Sequence, residues 1–115
     1  MATTGTQIIQ EARPLLNDET TDFTYSDANM LKYINQCLRR IAARRPDSLV
    51  AADGTRTTAT ELSAVGSSIP FADKWRIAFV HYCVAQCVGT KADGKENRAL
   101  SKYHNDMFLM YLETL

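Results

Sequence analysis

The chain lacks a hydrophobic run long enough to cross a bilayer. Its longest apolar-rich stretch, residues 77–88, is interrupted by His81 and Gln86 and falls short of the ~20 residues a spanning helix needs. The opening residues Met1-Ala2-Thr3-Thr4-Gly5 carry neither the basic flank nor the apolar segment of a secretory signal. A soluble, cytosol-made protein with no membrane partner is the expectation. Cysteine is scarce and odd in number. Cys37, Cys83 and Cys87 fall on segments with helical spacing, which suits reduced thiols rather than a disulfide framework. Net charge is absent as well, with 13 basic residues against 13 acidic ones. That balance argues against a domain devoted to gripping phosphate backbones, while low self-repulsion favours assembly. Glycine is too sparse for a phosphate-cradling loop, since Gly5, Gly54, Gly66, Gly89 and Gly94 each stand alone as turn or cap residues.

Catalytic motifs are missing too. His81 and His104 lie on different helical segments, and no serine or cysteine stands in a nucleophile motif. Asp18, Glu19 and Asp22 belong to a polar connecting stretch rather than a paired acid–base site. Cys83 and Cys87 share a helix face, but their neighbours Tyr82, Val84, Ala85 and Val88 are mostly apolar. Structural zinc sites instead use turn-borne knuckles in polar surroundings. Buried packing is the reading for these thiols. Neither an enzyme nor a metal or other cofactor is expected.

What is present is an ordinary globular composition, 45% hydrophobic and 23% charged over 115 residues. That suits a single domain spanning residues 1–115 with one modest core. Its best-specified element covers residues 26–45. Ser26 is a good N-cap and Asp27 sits at the positive end of the helix dipole. Apolar residues recur at Met30/Leu31, Ile34, Cys37/Leu38 and Ile41/Ala42, the spacing of one helical face. Arg39, Arg40, Arg44 and Arg45 crowd the last turns, and Pro46 stops the helix.

An earlier helix is expected over residues 6–16, with Ile8, Ile9, Ala12, Leu15 and Leu16 inward and a stop or kink at Pro14. Residues 17–24 read as a polar loop. Residues 47–70 change character, being rich in threonine and serine with no helical period. Asp53-Gly54 is a hairpin signal, and residues 58–63 alternate. A small β-hairpin excursion is therefore predicted, leaning on the helices or on another subunit. A third helix, from about Asp73 to Val88, is apolar nearly all round and reads as buried and central. Asp93-Gly94-Lys95 turns the chain into a fourth helix over residues 96–113. Its inward stripe is read as Leu100, Tyr103, Met107, Met110/Tyr111 and Thr114, leaving Phe108, Leu112 and Leu115 as a second apolar strip. The fold class is thus mainly α: a four-helix bundle with a β excursion between the second and third helices.

The order of these elements resembles the small head-to-tail adaptor (connector) proteins of tailed bacteriophages. The likeness runs through Ala12-Arg13-Pro14-Leu15-Leu16-Asn17-Asp18, then Tyr25-Ser26-Asp27, then Met30-Leu31-Lys32-Tyr33-Ile34-Asn35 and Arg39-Arg40-Ile41. It continues through Arg45-Pro46-Asp47, Ile69-Pro70, Val80-His81-Tyr82-Cys83, the polar turn from Lys91 to Asn97, and then Ala99 and Tyr103. Pro14 departs from the pattern, because such a helix normally continues there. The resemblance implies a virion protein of the phage neck, with about twelve identical copies ringed on the portal protein. Such a ring continues the DNA channel, without binding DNA specifically, and docks neck or tail proteins. With the chain stopping at Leu115, the resemblance leaves portal docking to the last helix.

The residues expected to meet partners are Phe108, Leu112 and Leu115 on the second strip, with Arg40 and Arg44 on the second helix. Phe108→Asp or Leu112→Asp is expected to spare the isolated fold while blocking incorporation into particles. For the arginines three readings stand: phosphate contact, salt bridges to a partner, or a solvated polar face. The first of these supports an alternative function, a small helical DNA-binding protein acting in packaging or regulation.

Overall fold

In a computed structural model the described residues are 3–16, 26–50, 54–58, 60–71, 73–89 and 95–115, with side chains of the last segment described from residue 98. They form four α-helices: α1 (Gly5–Leu15), α2 (Asp27–Arg44), α3 (Arg76–Gly89) and α4 (Lys95–Thr114). Single turns of 3-10 helix follow α2 (Pro46–Leu49) and precede α3 (Asp73–Trp75). The loop expected over residues 17–24, Tyr25, Asp53 and the Asp93-Gly94 turn lie outside the described residues.

Each helix boundary has a local cause. Thr4 caps α1 through a full capping box: its hydroxyl accepts from the Gln7 amide, while the Gln7 side chain accepts from the Thr4 amide. Sequence spacing missed this start by one residue. Pro14 sits in the last turn, and α1 ends immediately beyond it at Leu15. A missing amide costs little where the helix is already finishing. Ser26 caps α2 by accepting from the Asn29 amide at 3.2 Å, and Asp27 holds the buried Arg13 of α1 at 2.6 Å. At the far end the chain turns into Pro46, and Arg45 swings back to pair with Asp47 and to donate to the Leu112 carbonyl of α4.

α3 is the centre. Ten of its fourteen residues are buried, Ala78–Ala85 without interruption together with Cys87 and Val88, so it is walled in by neighbours on nearly every side. Ile8, Ile9 and Ala12 of α1 and Met30, Ile34, Cys37, Leu38 and Ile41 of α2 pack into the same core. α4 runs antiparallel to α3, since Ser101 donates to the Ala85 carbonyl while His104 meets His81. The Cα envelope measures 45 × 28 × 18 Å, and the short dimension holds two helix layers at most.

The β-hairpin expected between α2 and α3 is not formed among the described residues. Only isolated antiparallel bridges occur there, Val50 with Arg56 and Thr4 with Ser68. Of residues 60–63 only Leu62 is buried, too little apolar surface to hold a ladder. The backbone is satisfied by other means. Asn35 of α2 clamps Leu62, its amide donating to the carbonyl at 3.0 Å and its oxygen accepting from the N–H at 2.8 Å. Residues 65–69 lie along the start of α1, where Thr6 N–H donates to Val65 O, Gly5 N–H to Ser67 O, and Ile69 N–H to Thr3 O. The approach is close enough that a Cβ on Gly5 would stand 2.7 Å from Val65 O. Gly54, at φ +87°, takes the left-handed turn expected of it.

α4 corrects the other expectation. Its inward face is His104, Phe108 and Leu112, flanked by half-buried Ser101, Tyr111 and Leu115. Leu100, Tyr103 and Met110 face solvent, and Met107 is half-buried. Apart from Tyr111, which packs against the core as expected, the two apolar strips are exchanged relative to the sequence reading. The inward face contains polar residues that α3 satisfies one by one, and periodicity of apolar residues does not register such pairs.

Candidate partner-binding faces

Two surfaces stand out, and they are built from the same helices. The first is a groove between the C-terminal halves of α2 and α4, floored by α3. Arg39, Arg40, Ala43 and Arg44 recur at the spacing of α2's outer face. Arg40 reaches across the groove and rests its guanidinium over two rings, 5.6 Å from the centre of Tyr82 and 5.4 Å from that of Phe108. The rings meet edge to face at 5.0 Å. Such cation–π seating fixes a long side chain that would otherwise sample many rotamers. The Tyr82 hydroxyl donates to Gln36. Burial pushes its pKa up, and the neighbouring Arg40 opposes that rise.

The flanking arginines are differently placed. Arg39 pairs with Glu61, and Arg44 with Glu113 at 2.8 Å, both on open surface. Exposed pairs of this kind contribute roughly 0–1 kcal/mol and exchange readily. Arg40 meets no carboxylate among the described residues. Two depressions adjoin it, sharing Arg40 and Ala43. One, of about 480 Å³, is lined also by Arg44, Leu109, Leu112 and Glu113. The other, of about 330 Å³, is lined by Gln36, Arg39 and Tyr82.

The second surface is the outer face of α4. Leu100 (39% exposed), Tyr103 (54%) and Met110 (45%) follow one another along the helix with Met107 between them. The row covers eleven residues, a rise of about 15 Å along the helix. Leu109 (39%) lies between this face and the groove.

The residues expected to bind partners thus separate. Arg40, Arg44 and one edge of Leu112 line the groove. Phe108 is wholly buried beneath the Arg40 guanidinium and lines neither depression, Leu112 is otherwise core, and Leu115 is half-buried. Phe108→Asp would place a charge inside the protein, so the expectation that it spares the fold does not hold. The apolar strip open to solvent is the one containing Leu100, Tyr103 and Met110.

The histidines form a site that spacing did not suggest. His81 and His104 bring their Nδ1 atoms to 2.8 Å inside the α3–α4 contact. One ring donates and the other accepts, so the pair is satisfied while at least one imidazole is neutral. His81 stacks on Tyr111 and His104 takes the edge of Tyr103. Burial lowers the pKa of both, and for His104 the charge of His81 adds to the effect. The thiols of Cys37 and Cys83 are buried completely, and burial raises their pKa well above the ordinary thiol range. They are held protonated, as befits packing groups. Among the described residues no cluster of three or more histidine, cysteine or acidic side chains is placed to hold a metal ion, and no helix is long and apolar enough to cross a membrane.

Comparison with protein-family models, with curated proteins and with solved structures finds no match.

Proposed function

We infer that this chain is a structural assembly protein of a tailed-phage virion, a head-to-tail adaptor that acts by shape and contact rather than by chemistry. Copies form a ring on the portal protein, continue the DNA channel and offer a surface to neck or tail proteins. The whole chain acts as one adaptor domain. The resemblance in element order supplies the phage context. The observation that carries the assembly role is the outer face of α4, where large apolar side chains follow one another along three turns of an otherwise polar helix surface. Covering a large side chain there would contribute about 1.5–3 kcal/mol before association costs. Repeated around a ring, modest contacts of that size are enough, since each copy makes two of them.

The alternative, a DNA-binding module using the arginine-rich second helix, has less support. Two of its arginines already face carboxylates, and Glu113 would repel a phosphate backbone at the groove edge. Mass measurement of the purified protein alone and mixed with portal rings tests the proposal. Uptake of a defined number of copies per portal ring is the expected result. A chain that ignores portal rings yet shifts duplex DNA in a gel, with steep salt dependence, would overturn it in favour of the alternative.

A further inference from the structure

The exposed row on α4 has the form of a helix-packing seam. Leu100, Tyr103, Met107 and Met110 are spaced three, four and three residues apart, the alternation by which one helix seats its side chains between those of another. α3 covers the neighbouring face of α4 through His104 and Phe108, so the seam is left over once the bundle has closed. The charges of the same helix are ordered in one direction. From Lys95 to Lys102 it carries three cations and one carboxylate, and from Tyr103 to Thr114 it carries Asp106 and Glu113 with no lysine or arginine. That order opposes the helix dipole, which favours acids at the start and cations at the end. An antiparallel neighbour of the same kind sets the basic half against the acidic half, whereas a parallel one sets like against like.

We propose that in the free protein the outer face of α4 is covered by α4 of a second copy, lying antiparallel across a two-fold axis beside Asn105. The proposal rests on the reading of that face as an assembly surface, and it names the partner. Such an axis sets Leu100 of each copy against Met110 of the other, and Tyr103 against Met107. Every large side chain of the row then meets another from the same row, so the seam is its own complement. The flanking charges follow the same axis. Lys102 of one copy comes within about 3 Å, measured along the helix, of the level of Asp106 in the other. Each Asp106 carboxylate thereby lies between two lysines, its own at 2.9 Å and its neighbour's. This match of apolar register and charge order identifies a second copy rather than an unrelated helix. The contact is isologous and closes after two copies. About 15 Å of paired helix is short of a standard interface. The pair therefore forms reversibly as concentration rises, and gives up the face when the ring assembles.

The test uses the intact chain. In sedimentation the wild-type protein should pass from monomer to dimer as its concentration rises. Met110→Glu and Tyr103→Glu should each weaken that association ~10-fold or more. Both positions are exposed, so denaturation at monomeric dilution should show the fold retained. The orientation is read from a nitroxide on Thr114→Cys, since Cys37, Cys83 and Cys87 are buried and only the new thiol reacts. Mixed with an isotope-labelled wild-type copy, the nitroxide should broaden the amide signals of residues 98–103 more than those of residues 108–114. That readout stands even if a glutamate variant misfolds. Stronger broadening of residues 108–114, broadening centred on another element, undiminished association of a folded Met110→Glu, or a wild-type chain that stays monomeric at every concentration would each overturn the proposal. Co-sedimentation with portal rings, run in parallel, separates the two readings. Portal uptake of a chain that never pairs overturns this contact alone, whereas pairing through α4 without portal uptake overturns the adaptor role alone.

Discussion

α2 and α4 are both long amphipathic helices, yet one is legible from its own residues and the other is not. In α2 the inward stripe is almost wholly apolar, with Met30, Ile34, Cys37, Leu38 and Ile41 buried, and the outward stripe carries the charges. Cap, stripe and stop agree, so only one orientation is consistent with them. In α4 both faces carry large apolar residues, and the buried one contains His104 with Ser101 at its edge. Which face turns inward was decided by α3, which supplies a histidine for His104 and a carbonyl for Ser101. The lesson is that an apolar stripe identifies an inner face only where the opposite face is clearly polar.

The sharpest way to break this contrast is on α4 itself. Phe108→Ala should cost about 3–5 kcal/mol in chemical denaturation, because the ring is fully buried and carries the Tyr82–Arg40 stack. An effect as small as that of an exposed residue would return Phe108 to the surface strip. Next in size is Asn35→Ala on α2, expected to cost about 1–3 kcal/mol by stranding the N–H and carbonyl of Leu62. It tests the one polar residue of α2 that reaches inward to order the 60–71 segment. Ser26→Ala should follow, at about 1 kcal/mol, from loss of the cap on Asn29.

The histidine pair should show in the pH dependence of stability. Both pKa values lie below the ordinary 6.5 in the folded protein. The unfolded chain therefore binds more protons once the pH falls below that value, and stability drops from there downward. Above pH 6.5 the contribution is complete and flat. Denaturation midpoints of His104→Gln should slope less between pH 6.5 and 5 than those of the unmodified chain. Equal slopes would mean that the pair does not couple α3 to α4. Smallest of all should be Met110→Ser, within about 0.5 kcal/mol by the same denaturation assay. A larger loss would mean that the outer face of α4 is packed after all.

Some of the candidate site could be read in advance. Arg40 and Arg44 were visible as a basic cluster at the end of α2, and both line the groove. Their separate roles were not visible, since Glu113 lies 69 positions from Arg44 and Tyr82 lies 42 from Arg40. The histidine contact was equally hidden, because two single histidines 23 residues apart form a pair only when antiparallel packing brings them together. The missing hairpin has a different cause. Threonine-rich alternation and an Asp-Gly turn describe local preference, but strand pairing needs a partner edge and apolar surface to bury. Residues 60–69 instead found hydrogen bonds on Asn35 and on the start of α1.

What the amino-acid order alone determined is the set of helices, their caps and breaks, and the central burial of α3. These follow from interactions within a few residues and from a segment too apolar to face water. Tertiary structure alone decided which side of α4 is core, which of the arginines ending α2 lacks a carboxylate among the described residues, and how residues 60–69 satisfy their backbone. Each of those outcomes depends on groups distant in the chain, whose meeting is set by how the helices pack around α3.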